Sequence, residues 1–263
     1  MDGRDKPGHD GRIIAAMTHR ERADRLLVAR GLFDSRARAQ AAIAAGRVTA
    51  DGVLVRKASD AISSAAAIAA EPEHPYVSRG GIKLAAALDH FGLDVAGDVC
   101  LDVGASTGGF TEVLLGRGAK RVYAVDVGSG QLHLRLRGRD DVVSMEQTDI
   151  RKLDPAVLAE RPDFAVIDVS FISLKLVLPA AGNLLKARAR MLALIKPQFE
   201  AKSQGFKDAI KKGVVRDEAA RVAICDDIAA FVSALGWRTR GVVASAIRGG
   251  DGNQEFFIAA ERD

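Results

Sequence analysis

Seven short apolar runs recur between residues 99 and 260, most of them separated by segments with helical periodicity. They fall at 99–103, 122–126, 142–145, 164–168, 191–196, 242–246 and 255–260. Runs so short and so continuously apolar suit strands buried on both faces, and strands that alternate with helices wind into a parallel sheet with helices on either side. A helix over 81–91 precedes the first strand, and the glycines at 249–252 predict a reversal that pairs the last two strands antiparallel. The expected fold class is therefore α/β, a doubly wound seven-stranded sheet.

The chain of 263 residues leaves room for this sheet and a small additional module. Apolar residues make up 48% and charged residues 27%, with both signs mixed, which excludes wholesale disorder. Two cysteines, Cys100 and Cys225, are too few for a disulfide framework or a four-cysteine zinc site, and Cys100 lies in an apolar run as a core residue would. No apolar stretch approaches the roughly 18 residues needed to span a bilayer, and no apolar leader follows the first basic residues. A cytoplasmic protein with no bound metal and no membrane partner is expected. The polar, Gly-rich start reads as disordered over 1–19, with Met17 as the expected true start.

A helical face of Ala23, Leu26, Leu27 and Leu32 opens the small module, expected over 20–70. Asp34 or Ser35 can cap a second helix over 36–45 that closes at Gly46, and an Asp51-Gly52 turn joins two short strands. Between residues 20 and 57 stand nine Lys/Arg against four Asp/Glu, whereas the whole chain carries only +4. Such a surplus is either a solvated face or a phosphate-binding surface, and Arg36, Arg38, Arg47 and Lys57 are the candidate contacts. Two prolines in Glu71-Pro72-Glu73-His74-Pro75 mark a stiff linker over 71–77, leaving 78–263 as the larger domain.

The first long-domain strand runs into Gly104-Ala105-Ser106-Thr107-Gly108-Gly109 and then a helix from Phe110. Such a turn lets a ligand approach the backbone closely, but many nucleotide-binding folds share it. The acids at successive strand ends narrow the choice. Asp102 disfavours a pyrophosphate and suits a cationic amino acid group, Asp126 can accept both hydroxyls of a ribose, and Asp149 is placed to meet an adenine amino group. No G-K-[ST] follows the glycines. Together these describe an adenosine pocket for S-adenosylmethionine, lined by Asp102, Gly104, Ala105, Ser106, Gly108, Gly109, Phe110, Asp126, Asp149 and Asp168.

Lys83, Asp168, Lys196 and Glu255 form a second constellation. Asp168 and Lys196 end parallel strands and so face the crevice where ligands bind. Singly, each is as easily an exposed ion-pair partner. As a set they suit methyl transfer to a ribose hydroxyl, a poor nucleophile that must lose its proton as it attacks. A lysine beside a second cation yields its proton more readily, so Lys196 is the expected general base, with Lys83 positioning. The N-P-P-Y or D-P-P-Y of many amino-group methyltransferases is absent, and neither cysteine follows a proline as a carbon-5 nucleophile should.

Two resemblances sharpen this reading. The stretch R-A-D-R-L-L-V-A-R-G-L-F-D-S-R-A-R-A-Q-A-A-I-A-A-G-R-V-T-A-D-G resembles the small RNA-binding domain first described in ribosomal protein S-four. V-S-R-G-G-I-K-L, L-D-V-G-A-S-T-G-G-F-T-E-V-L-L, V-I-D-V-S-F-I-S-L, K-P-Q-F-E and G-N-Q-E-F-F resemble the TlyA family, whose Rossmann-like, FtsJ-like methyltransferase sheet carries a K-D-K-E tetrad. The resemblance implies 2′-O-methylation of cytidine in ribosomal RNA or an assembled ribosomal subunit, with Arg79 among the RNA-facing residues. The chain ends six residues after Phe257, as shorter members do, so 23S is the favoured target and 16S the second. A catalytically idle ribosome-assembly factor and a haemolysin-like protein are the alternatives; the second lacks a spanning segment or a strongly amphipathic cationic helix.

Overall fold

The computed structural model describes residues 19–201 and 207–263; the Gly-rich start and Met17 lie outside the described residues. The chain divides into two compact units, residues 1–75 and 76–263.

In the first unit, β1 (Arg20–Arg22), α1 (Ala23–Ala29), α2 (Arg36–Ala44), β2 (Val48–Ala50), β3 (Val53–Leu54), β4 (Ala61–Ser63) and β5 (Ile68–Ala70) follow in order. β1 pairs with β4, and β2 lies between β3 and β5. The Ser35 hydroxyl caps α2 by accepting from the Arg38 N–H at 3.3 Å. The Asp51-Gly52 turn holds both residues in the left-handed region, as a tight hairpin requires. Leu26, Leu27, Ala39, Ile43 and Val48 form a small core. Two details differ from the sequence reading. The turn at Gly31 rotates the chain so that Phe33, not Leu32, enters this core. Beyond the hairpin that the sequence predicts, the chain adds β4 and β5, three-residue strands held by pairing to β1 and β2.

The second unit runs α3 (Gly80–Phe91), β6 (Val99–Val103), α4 (Gly109–Gly116), β7 (Arg121–Val125), β8 (Val142–Met145), β9 (Phe164–Ile167), α5 (Leu174–Leu184), β10 (Ala189–Ile195) and α6 (Pro197–Glu200). The hairpin β11 (Ile210–Lys211) and β12 (Val214–Val215), α7 (Glu218–Ala234), β13 (Arg238–Ala244) and β14 (Phe256–Arg262) complete it. The sheet has seven strands in the order β13-β14-β10-β9-β6-β7-β8. From β10 to β8 neighbours are parallel, while β14 is antiparallel to both β10 and β13.

Side chains alternate across the sheet, and each set meets its own helices. Cys100, Val122, Phe164, Val166 and Leu192 pack under α3 and α4, and Leu101, Tyr123, Ala165, Ile167 and Ala193 pack under α5 and α7. Burial on both sides explains why these strands are apolar at consecutive positions. Tyr76 and Val77 belong to this unit. Val77 is buried against Leu132 and Leu136, and its N–H donates to Glu112 Oε2 at 2.5 Å. Among the described residues no helix is long and apolar enough to cross a membrane. The chain leaves β6 for β7 and β8 on one side and then crosses to β9 on the other. That reversal opens a crevice at the carboxyl ends of β6 and β9.

Candidate active site

Gly104 leaves β6 at φ +85°, and a Cβ there would stand 2.2 Å from the Asp168 carbonyl oxygen. Only glycine lets the exits of β6 and β9 lie so close. The loop beyond it turns over Asp126. The Ser106 N–H donates to Asp126 Oδ2 at 2.8 Å and the Gly128 N–H to Oδ1 at 2.7 Å. Each oxygen accepts one such bond and keeps further acceptor capacity for a ligand hydroxyl. Ser106 Oγ also donates to Gln131 Oε1 at 2.9 Å, and Glu146 fixes the Gln131 loop by accepting three backbone N–H groups at 2.6–2.9 Å. Asp126, Gly104, Ser106, Gln131, Asp149 and Phe171 contribute walls to a cleft of about 490 Å³.

Asp149 reaches this cleft already engaged. Its carboxylate caps the turn at Ile150 and holds Arg151 Nη2 at 2.6 Å, and the guanidinium draws the carboxyl down to about 2. Asp102 is placed differently from the sequence expectation. It is fully buried beneath the glycine loop and contributes to the wall of neither cleft described here. Thr111 Oγ1 donates to its Oδ2 at 2.7 Å, Oδ1 has no partner, and burial pushes the carboxyl up to about 7. Gly108 is likewise buried, against Leu132 and Leu136, while Ala105, Gly109 and Phe110 face a second cleft.

That second cleft, about 370 Å³, is bordered by Ser78, Arg79, Lys83, Phe110, Asp168 and Arg248. Gly104, Ser106 and Asp168 stand in the walls of both, so the clefts adjoin at Asp168. The four-residue constellation assembles here as two ion pairs. Lys196 Nζ lies 2.6 Å from Asp168 Oδ1 and donates to Ser170 Oγ at 2.9 Å. Lys83 Nζ donates to Glu255 Oε2 at 2.5 Å, and Glu255 is buried. Antiparallel pairing places Phe256 opposite Ile195, so Glu255 and Lys196, one residue beyond each, share the sheet edge to which Asp168 also belongs.

Two motif residues prove to be braces that residue type alone does not reveal. Buried Glu200, of K-P-Q-F-E, accepts from Ser173 Oγ at 2.5 Å and from the Leu174 N–H at 2.8 Å, fastening the start of α5. Buried Asn253, of G-N-Q-E, accepts from the Val215 N–H and donates to the Gly213 carbonyl, both at 3.0 Å.

The basic residues of the first unit are more occupied than their number suggests. Arg36 donates to Asp24 Oδ2 at 2.7 Å. Asp24 is fully buried and also bound by Arg22 and Gln40, which hold its carboxyl well below the usual range with Arg36. Arg36 thus serves the fold, because a buried carboxylate must be paired. Arg38 approaches Asp34 at 3.8 Å and Arg47 approaches Glu71 at 3.4 Å, whereas Lys57 is exposed.

The FtsJ-like methyltransferase family matches residues 76–262, and the S4 domain matches residues 21–67. The chain is 45% identical over 244 residues to the 16S/23S rRNA (cytidine-2′-O)-methyltransferase TlyA of Mycobacterium tuberculosis, covering 92% of this chain and 90% of the relative. It is 38% identical over 182 residues to the 23S rRNA (cytidine-2′-O)-methyltransferase TlyA of Campylobacter jejuni, 69% of each chain. The solved structure of a candidate hemolysin from Streptococcus thermophilus aligns with a TM-score of 0.72 at 41% identity, over 93% of this chain and 89% of that one. The adenosine-type cleft, the paired lysines and carboxylates beside it, and these likenesses agree: the chain belongs to the TlyA family of FtsJ-like methyltransferases.

Proposed function

We propose that this enzyme transfers a methyl group from S-adenosylmethionine to the 2′-hydroxyl of a cytidine in ribosomal RNA. The adjoining of the two clefts at Asp168 carries the reading, because a donor in one and a ribose in the other meet beside the Lys196–Asp168 pair. The cofactor cleft suits the donor, because Asp126 retains acceptor capacity for ribose hydroxyls. When bound, S-adenosylmethionine supplies an electrophilic methyl on a positively charged sulfur.

The protein supplies position and a proton acceptor. With S-adenosylmethionine bound, its methyl would pass to the hydroxyl oxygen with S-adenosylhomocysteine as the leaving group, and Lys196 Nζ would take the hydroxyl proton. Asp168 and Ser170 orient the Lys196 amine, and a proton acceptor held in place acts as the new bond forms. Lys83, held by Glu255, fixes the opposite side of the acceptor cleft. The S4 domain of the first unit binds the RNA, and the partner is a ribosomal subunit in the cytoplasm. The 23S RNA is the first target, an activity present in the names of both methyltransferase relatives.

Incubation with labelled S-adenosylmethionine and each purified ribosomal subunit, followed by mapping of the modified nucleotide, tests this. Label on a cytidine ribose is expected, and label on a base overturns the reading. Lys196→Ala should lower the transfer rate by about 10²–10⁴-fold while cofactor affinity stays within a few fold. An unchanged rate removes Lys196 from the role of base.

A further inference from the structure

Three cations border the acceptor cleft: Arg79, Lys83 and Arg248. Lys83 is neutralised by Glu255, but Arg79 and Arg248 form no ion pair with a carboxylate among the described residues. Other arginines of this unit are spent on the fold, such as Arg190 on Asp98 and Arg262 on the carbonyls of Gly182 and Lys186. Arg248 gives one long bond, 3.3 Å, to the Gly252 carbonyl. Most of its five N–H donors therefore remain for a ligand.

Its backbone is held from several directions. Arg79 Nη2 donates to the Arg248 carbonyl at 3.0 Å, tying the β13–β14 loop to the start of α3. Within the loop the Gly249 N–H donates to the Asn253 carbonyl and the Gly252 N–H to the Gly249 carbonyl, both at 2.9 Å. Asn253 anchors the far side through the β11–β12 hairpin. Gly249 abuts Glu255 directly, since a Cβ there would lie 2.5 Å from Glu255 Oε1. Arg248 is thus an exposed cation on a braced loop, one residue from a contact with the tetrad.

We propose that Arg248 binds a backbone phosphate of the target strand next to the methylated ribose, and with Arg79 grips the strand across the acceptor cleft. This rests on the functional reading above. Every ribose in RNA is flanked by phosphates, and guanidinium groups bind phosphate oxygens with two parallel N–H bonds. Charge that is unpaired, aimed into the cleft and pre-placed suits an anion that must be fixed before the hydroxyl can face Lys196. It also places a register-setting group in the catalytic unit itself.

The test uses the full chain with purified large ribosomal subunits, reading methyl-transfer kinetics and, separately, subunit binding across a series of salt concentrations. Arg248→Gln keeps a donor for Gly252 but removes the charge; it should raise KM about tenfold. It should also reduce the magnitude of the logarithmic salt slope of binding by about 0.7–0.9, the share of one neutralised phosphate. Arg248→Lys should restore the slope while recovering only part of the KM, and calorimetric affinity for S-adenosylmethionine should not move. Wild-type KM and slope in Arg248→Gln overturn the assignment. If wild-type protein leaves ribosomal RNA unmethylated but the Gln variant still shows the smaller slope, the phosphate-binding role stands and the reaction assignment fails.

Discussion

Asp102 shows how one residue can satisfy the sequence reading and still occupy a different place in the molecule. The spacing that makes it look like a ligand for a cationic group is the spacing of a strand end, and the structure buries it one layer below the loop. Desolvation raises its carboxyl to about 7, with Asp168 and Asp126 adding to the rise against the opposing bond from Thr111. Its value in the unfolded chain is about 3.9. Between these two values the unfolded state binds fewer protons than the folded one, so stability from this group falls as pH rises from about 4 to about 7. Asp102→Asn, which keeps an acceptor for Thr111, should therefore be more stable than wild type by about 1–4 kcal/mol at pH 8 and equal to it near pH 4. Thermal unfolding at both pH values checks this, and a variant that gains nothing at pH 8 would mean that Asp102 is ionised without penalty. Asp24 and Arg36 teach the same lesson from the other side. A sequence displays charges, but which of them are committed to one another depends on bonds made 12 residues apart.

At the level of elements, the central strands β6, β7, β9, β10 and β14 were legible because burial on both faces leaves a continuous apolar imprint, and the edge strands β8 and β13 through shorter apolar runs. Their edges shifted by a few residues, most at β13, whose alternating burial begins at exposed Arg238, before the apolar run does. The short strands β4 and β5 and the β11–β12 hairpin carried no imprint, since two or three paired residues need no apolar periodicity. Asp168, Lys196 and Glu255 were visible at strand ends and Lys83 on the helix before the sheet, whereas Gln131 and Arg248 sit on loops whose course no local pattern fixes. The tightest element junction is the exit of β6. Gly104→Ala forces a Cβ into the Asp168 carbonyl and a left-handed φ on alanine. A loss of about 1–3 kcal/mol from backbone strain alone is expected, together with loss of S-adenosylmethionine binding as the β6 and β9 exits separate. Calorimetry on the variant decides this, since unchanged affinity would show that the junction tolerates a wider gap.

For the whole molecule, the two units keep separate cores, and every residue assigned to cofactor or catalysis lies in the second. Deleting residues 1–70 should leave S-adenosylmethionine affinity largely intact, weaken ribosomal-subunit binding and flatten its salt dependence by about 0.7–0.9 for each phosphate that the first unit neutralises. Filter binding over a salt series measures the effect, and wild-type methylation with unaltered salt dependence would reduce the first unit to a charged appendage. The arrangement of the sheet carries a consequence of its own for assembly. β14 follows both its neighbours in the chain yet lies between them, zipped to β10 on one side and β13 on the other. Until it arrives, β10 has an open edge and β13 has no partner in the sheet, the condition in which nascent strands are most prone to pair with the wrong neighbour. Glu255 comes in with that strand and supplies the partner of Lys83. The same closing movement that seals the sheet completes the Lys83–Glu255 pair, so the proposed catalytic centre is assembled only as the sheet closes.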